Sequence, residues 1–128
     1  MTEIRATELQ YEAGIIEAAK AAGWLVHAER AAVSKGKWST PIKGHAGWPD
    51  LVLVHEPHRR MMIVELKRKP NKVSDEQRRW LDALDKVTGS IDHWVECWVG
   101  VVWVPEQYET LLRLIAQPWL PFAILEET

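Results

Sequence analysis

Asp50 and, fifteen residues on, Glu65 with Lys67 are the side chains of this chain best suited to chemistry. Asp50 opens an apolar run, Leu51 to Val54, and Glu65 and Lys67 close the next, Met61 to Lys67. Side chains alternate along a strand, so Glu65 and Lys67 share a face while Leu66 points into the core. If the chain turns between the runs and Val54 faces Met61, antiparallel pairing places Asp50 opposite Glu65, at an exposed sheet edge. Adjacent carboxylates repel unless a cation lies between them, and oxygen-rich pairs of this kind suit Mg²⁺ or Mn²⁺. With an ammonium two residues along, the set is suited to metal-assisted hydrolysis of a phosphodiester.

Such a set needs a hairpin beneath it and elements on either side. Thr7 to Ala22 reads as a helix, capped by Thr7, with Leu9, Ile15, Ile16 and Ala19 at helical spacing and Gly23 at its end. Trp24 to Ala28 reads as a short strand. Residues 29–48 have no clear period and form a long connection, with Arg30, Lys35, Lys37, Lys43, Trp38 and His45 along it. The hairpin follows, turning through Glu56-Pro57-His58-Arg59, and Pro70-Asn71 ends it. Ser74 then caps a helix to about Val87 whose apolar face is Trp80, Leu81 and Leu84, with Gly89 beyond it. Trp94 to Val104 is strongly β-prone, and Gly100 marks a break or a bulge in it. Pro105 suits the first turn of a helix over Glu106 to Ala116, with Tyr108, Leu111, Leu112 and Ile115 on one face. Pro118 and Pro121 predict an irregular tail. The order α-β-β-β-α-β-α gives an α/β fold, a mixed sheet flanked by helices, in one domain over residues 1–128.

Composition narrows the class. An apolar share of 47% with 27% charged residues is that of a globular chain rather than a disordered one. No apolar run approaches the roughly 20 residues that span a bilayer, and the N-terminus lacks a signal-peptide core. A lone cysteine, Cys97, excludes an internal disulfide framework and fits a reducing cytoplasm. The net charge of −2 argues against a nucleic-acid binder until it is mapped along the chain. Arg59 to Arg79 holds eight basic residues against three acidic ones, beside the carboxylates, which favours phosphate contact.

Gly47-x-Pro49-Asp50-Leu51, Ile63-Val64-Glu65-Leu66-Lys67 and Val73-Ser74-x-Glu76-Gln77-x-x-Trp80-Leu81 together resemble the virus-type replication-repair nuclease (VRR-NUC) domain. That domain is a branch of the PD-(D/E)xK nucleases, and the resemblance runs from about Glu8 to Leu84. It implies a PD-(D/E)xK, restriction-endonuclease-like core and a Mg²⁺- or Mn²⁺-dependent deoxyribonuclease. Asp50 and Glu65 would be metal ligands, joined by the backbone carbonyl of Leu66. Lys67 would orient or help deprotonate the attacking water. The resemblance also implies an acidic or amide residue on the first helix. Glu8 and Glu12 share a face there, and the eleven residues from Glu12 to Gly23 resemble the spacing in related junction resolvases, which favours Glu12. Gln77 matches a Gln of the family and would meet the scissile phosphate or the water. Lys43, Lys69, Lys72, Arg78 and Arg79 would hold DNA phosphates without reading sequence. Stand-alone members imply a Holliday-junction-resolvase-like homodimer of phage or prophage type acting on branched DNA. The alternatives are a flap, nicking or single-strand nuclease with the same site, a small-substrate phosphoesterase, and a non-catalytic DNA-binding module.

Eight tryptophans invite a base-stacking role; only Trp38 and Trp48, in the glycine-rich loop before Asp50, are candidates for DNA contact, and packing is the better reading even for these. His55-x-x-His58 has too few partners for zinc and reads as a turn with two histidines. The apolar density from Trp94 to Val104 exceeds what one buried strand needs and predicts a subunit interface.

Overall fold

A computed structural model describes residues 7–28, 43–89 and 95–127, and the backbone of residues 32–34 and 37–39. Arg30, Lys35 and Trp94, and the side chains of Lys37 and Trp38, lie outside the described residues.

Helix α1, Glu8–Ala21, begins at a reciprocal cap: Thr7 Oγ1 accepts from the Gln10 N–H and Thr7 N–H donates to Gln10 Oε1. Gly23, at φ +86°, turns the chain into β1, Leu25–Ala28. A two-stranded hairpin follows, β2 Ala32–Ser34 with β3 Lys37–Ser39, where the sequence predicts a plain loop. Its strands are three residues long, too short for a period to show.

Next come β4, Leu51–His55, and β5, Arg60–Lys67, joined by the turn at residues 56–59. They pair antiparallel with Val54 opposite Met61 and Leu51 opposite Val64, the expected register. Helix α2 is Asp75–Thr88, β6 is Glu96–Trp103, α3 is Tyr108–Ala116, and a 3-10 helix occupies Phe122–Glu127. The main sheet runs β1-β4-β5-β6, with β6 parallel to β5 and the other pairs antiparallel.

Alternation along the strands divides the sheet between two layers. Met62, Val64 and Leu66 of β5 join Leu51, Leu53 and Val102 in one buried cluster with Ile15 and Ala19 of α1 and Leu111, Leu114 and Ile115 of α3. The Trp24 indole N–H donates to the Ile115 carbonyl at 2.9 Å and ties β1 to α3. Ile63 and Glu65 face the other way, towards α2, whose buried residue is Leu81.

Several expectations need correction. Leu9 is exposed, because α1 buries only Ile15 and Ala19 against the sheet. Gly100 neither breaks nor bulges β6, whose register with β5 is continuous. A Cβ there would come within 2.9 Å of the Trp98 ring, so glycine makes room for that indole. Helix α3 starts at Tyr108 rather than Glu106, and Gln107 instead bridges Trp103 N–H and the Leu125 carbonyl. The tail is irregular around Pro118 and Pro121, as expected, but ends in the 3-10 helix, from which Leu125 is buried in the core. In β6 Val102 is buried and residues 97–101 are half-buried, α2 and α3 both pack on the strand, and the exposed Val95 lies just before it.

Candidate active site

Asp50 lies one residue before β4, and the register that sets Leu51 opposite Val64 brings it beside Glu65. Its Oδ2 accepts the Leu66 N–H at 2.8 Å, which fixes the carboxylate on the end of β5. In an extended strand the N–H and carbonyl of one residue face the same neighbour. The Lys67 carbonyl accepts from Val104 N–H on the β6 side at 2.9 Å, so the Leu66 carbonyl faces the Asp50 side.

Glu65 is not at an exposed edge as the sequence predicts. It is 1% exposed, with Gln77 from the first turn of α2 laid against it. Gln77 Nε2 donates to Glu65 Oε1 at 2.8 Å, and Lys67 Nζ stands 3.8 Å from the same oxygen. Glu65 Oε2 is buried and has no hydrogen-bond donor. Burial first, then the Asp50 charge and a hydrogen bond shared with Asp50, push the Glu65 carboxyl up to about 8, with Lys67 pulling the other way. Burial also raises Asp50, against the lowering effect of the Leu66 N–H. One oxygen of each carboxyl is thus held in place, by the Leu66 N–H and by Gln77, and the proton that the two carboxyls share marks a place that a cation could take.

Gln77 has two tasks. Its Oε1 accepts from Ser74 N–H at 2.9 Å, closing the α2 cap, while its amide clasps Glu65. The Gly47-x-Pro-Asp segment is seated on the same helix start. Gly47 has φ +99°, and a Cβ there would lie 2.5 Å from the Glu76 backbone carbon, so only glycine lets the loop lie this close. Trp48 meets Trp80 edge-on with centroids 5.0 Å apart, a packing contact.

The structure separates the two first-helix candidates. Glu8 Oε1 accepts the Arg68 N–H at 3.1 Å and Asn71 Nδ2 at 3.0 Å, latching α1 to the end of β5. Glu12, one turn on, is pushed up to about 7 by burial first, then by the charges of Asp50 and Glu8. Glu12→Ala is therefore expected to lower the cleavage rate about tenfold or more while keeping the fold. Glu8→Ala should act mainly by lowering the melting temperature. Cleavage rates and thermal melts of both variants decide this. The reverse pattern would make Glu8 the site residue.

Among the described residues, no three His, Cys, Asp or Glu side chains are gathered to hold a metal ion. His55 and His58 face each other, Nδ1 to Nδ1 at 3.3 Å, within the β4–β5 turn, and burial lowers His55 towards the neutral form. What Asp50, Glu65 and the Leu66 carbonyl offer is an all-oxygen set with one buried oxygen lacking a donor. That set fits a hard divalent ion that keeps several waters and uses one or two carboxylates.

The basic stretch divides. Arg78 and Arg79 are exposed on α2, with Arg78 Nη1 3.7 Å from Asp82 Oδ1, and Lys43, Lys69 and Lys72 are exposed as well. Arg60 departs from the expected phosphate contact. It is 4% exposed, pairs with Glu96 at 3.0 Å and lies 4.2 Å above the Phe122 ring. Cys97 is half-buried, and burial raises its thiol, in keeping with a packing role.

Against known families, residues 25–94, more than half of the chain, match the VRR-NUC domain. The chain belongs to the VRR-NUC family. Its fold is thus the PD-(D/E)xK type, an α/β mixed sheet flanked by helices, and its class is nuclease, with DNA as substrate. Neither a curated protein nor a solved structure matches significantly. The VRR-NUC match includes Asp50, Glu65, Lys67 and Gln77 but starts after α1, so Glu12 rests on its place on α1 and its electrostatic coupling to Asp50. No described helix of this VRR-NUC chain is long and apolar enough to cross a membrane.

Proposed function

We propose that this VRR-NUC chain is a divalent-metal-dependent, structure-specific DNA endonuclease, resolvase-like and of phage or prophage type, working in a reducing cytoplasm. The observation that carries the metal reading is the buried Glu65 Oε2, without a donor, beside Asp50. Asp50, Glu65 and the Leu66 carbonyl would hold Mg²⁺ or Mn²⁺. Such an ion supplies Lewis acidity towards a phosphoryl oxygen and lowers the pKa of water. The chain's own groups do the rest. Gln77 and the Leu66 N–H hold the two carboxyls so that they need not reorganise. Lys67, largely covered, places a positive charge where a phosphate accumulates negative charge. Glu12 stands by to take a proton from water at neutral pH.

A homodimer is part of the proposal. One site per chain cuts one strand, so symmetric cutting of a junction needs two copies. Support comes from β6, an edge strand that pairs only with β5 among the described residues. The test is a cleavage panel in Mg²⁺ or Mn²⁺ with four-way junctions, flaps, splayed arms, single strands and linear duplex, alongside light scattering. Preferred cutting of junctions by a dimer supports the reading, whereas a monomer cutting flaps or single strands replaces it.

The exposed α2 arginines make a further prediction. Arg78→Ala with Arg79→Ala should weaken DNA binding more than it changes the rate at saturating DNA. The slope of log affinity against log salt should become shallower by about one to two. An unchanged slope would place this face of α2 away from DNA.

A further inference from the structure

A cavity of about 460 Å³ opens beside the start of α2, with none of Asp50, Glu65 and Lys67 in its lining. His45 and Ala46 of the loop before Gly47 form one wall, and Trp80 and Ala83 of α2 form the other. The volume falls in the range of small-molecule sites, roughly 300–1,000 Å³. Trp80 is only half-buried, yet its ring is fixed. The indole N–H donates to the His45 carbonyl at 3.2 Å and Trp48 packs edge-on against it. A rigid, accessible indole face is a stacking platform for a planar ring.

We propose that this cavity receives one unpaired nucleobase of the DNA held at Asp50 and Glu65. The inference deepens the nuclease reading and rests on it. Position favours a base over other planar ligands, since His45 and Ala46 lead directly through Gly47 to Asp50. Gln77, which clasps Glu65, sits on the same two turns of α2 as Trp80. An occupant of the cavity is therefore a neighbour of the phosphodiester being cut. Charge favours the base over its phosphate. Asp75 and Glu76 stand in the wall, repel an anion and accept N–H groups such as the exocyclic amines of adenine, cytosine or guanine. Arg79, also in the wall, is placed for the phosphate that follows the base. A base paired within a continuous duplex cannot enter. The cavity thus selects DNA with an unpaired nucleotide beside the cut, as where pairing opens at the branch point of a junction or fork.

The test uses the whole chain and forked DNA carrying one unpaired 2-aminopurine at the branch, in Ca²⁺, alongside a continuous duplex. On binding, the emission of that base should fall several-fold through stacking on Trp80. Ala83→Leu fills the cavity from the helix side. It should abolish the quenching and lower the ratio of fork to duplex affinity about tenfold. Replacing the unpaired base by an abasic residue should lower the wild-type ratio equally. Ala46→Leu, on the exposed loop, repeats the test from the other wall should the α2 variant fail to fold. Absence of quenching in the wild type, or fork affinity retained by the filled variants, overturns the proposal. Cleavage is read separately. A wild-type protein that cuts forks without quenching loses only the cavity assignment, and one that quenches but cuts no DNA loses only the nuclease reading.

Discussion

Glu65→Gln is expected to cut the cleavage rate at least about a hundredfold while leaving the fold and DNA affinity close to wild type. The change is well suited to the site because burial already holds the Glu65 carboxyl neutral at pH 7 in the metal-free protein, at about 8. A neutral amide of the same shape can still accept from Gln77, but it cannot offer a carboxylate to a divalent ion. Glu65→Ala is the poorer test, since it empties a fully buried position under α2. Lys67→Met should cost about 10²–10³-fold in rate by removing the positive charge next to Glu65 Oε1. Gln77→Ala should cost less, about 10–100-fold, because it acts by freeing Glu65 rather than by removing a ligand. Single-turnover kinetics with binding measured in Ca²⁺ separates these effects. A Glu65→Gln or Lys67→Met variant cutting within a few-fold of wild type would move the reaction to other residues.

The metal-free protein should lose stability as pH rises from about 4.5 to about 8. Glu65 and Glu12 stand at about 8 and about 7 in the folded chain, against the ordinary 4.5. Between those values the folded state binds protons that the unfolded state has released. Stability therefore falls with rising pH across that window and is fullest below it. In thermal melts in EDTA the midpoint should drop by several degrees between pH 5 and pH 8. Added Mn²⁺ should restore it most at pH 8, where the carboxylates are ready for a cation. Glu65→Gln should flatten both trends. A melting temperature that climbs from pH 5 to pH 8 in EDTA would mean that the carboxyls are not crowded as described.

Much of the site can be read in the sequence because it follows from strand geometry. Once two apolar runs form a hairpin, a period of two and the Val54–Met61 pairing put Asp50 beside Glu65 with no further information. The caps at Thr7 and Ser74 are equally local, each with a Gln three residues on. What escapes the sequence is what arrives from elsewhere in space. The burial of Glu65 depends on where α2 docks, and the fate of Arg60 depends on Glu96 and Phe122, far along the chain. The division of labour between Glu8 and Glu12 depends on the turn at Arg68 to Asn71. Trp80 falls on an apolar helix face and so reads as core. Its half-open ring is visible only once His45 is placed beside it.

Calorimetric titration with Mn²⁺ near pH 7.5 is the most direct measurement of whether Asp50 and Glu65 form a divalent-ion centre. Wild-type protein should bind the ion with release of protons, seen as a heat that changes with the ionisation enthalpy of the buffer, because Glu65 must give up its proton on binding. Asp50→Asn and Glu65→Gln should each abolish the binding while melting as folded proteins. Mn²⁺ binding that persists undiminished in both variants, or wild-type protein that binds no Mn²⁺ yet cuts DNA in EDTA, would contradict the account.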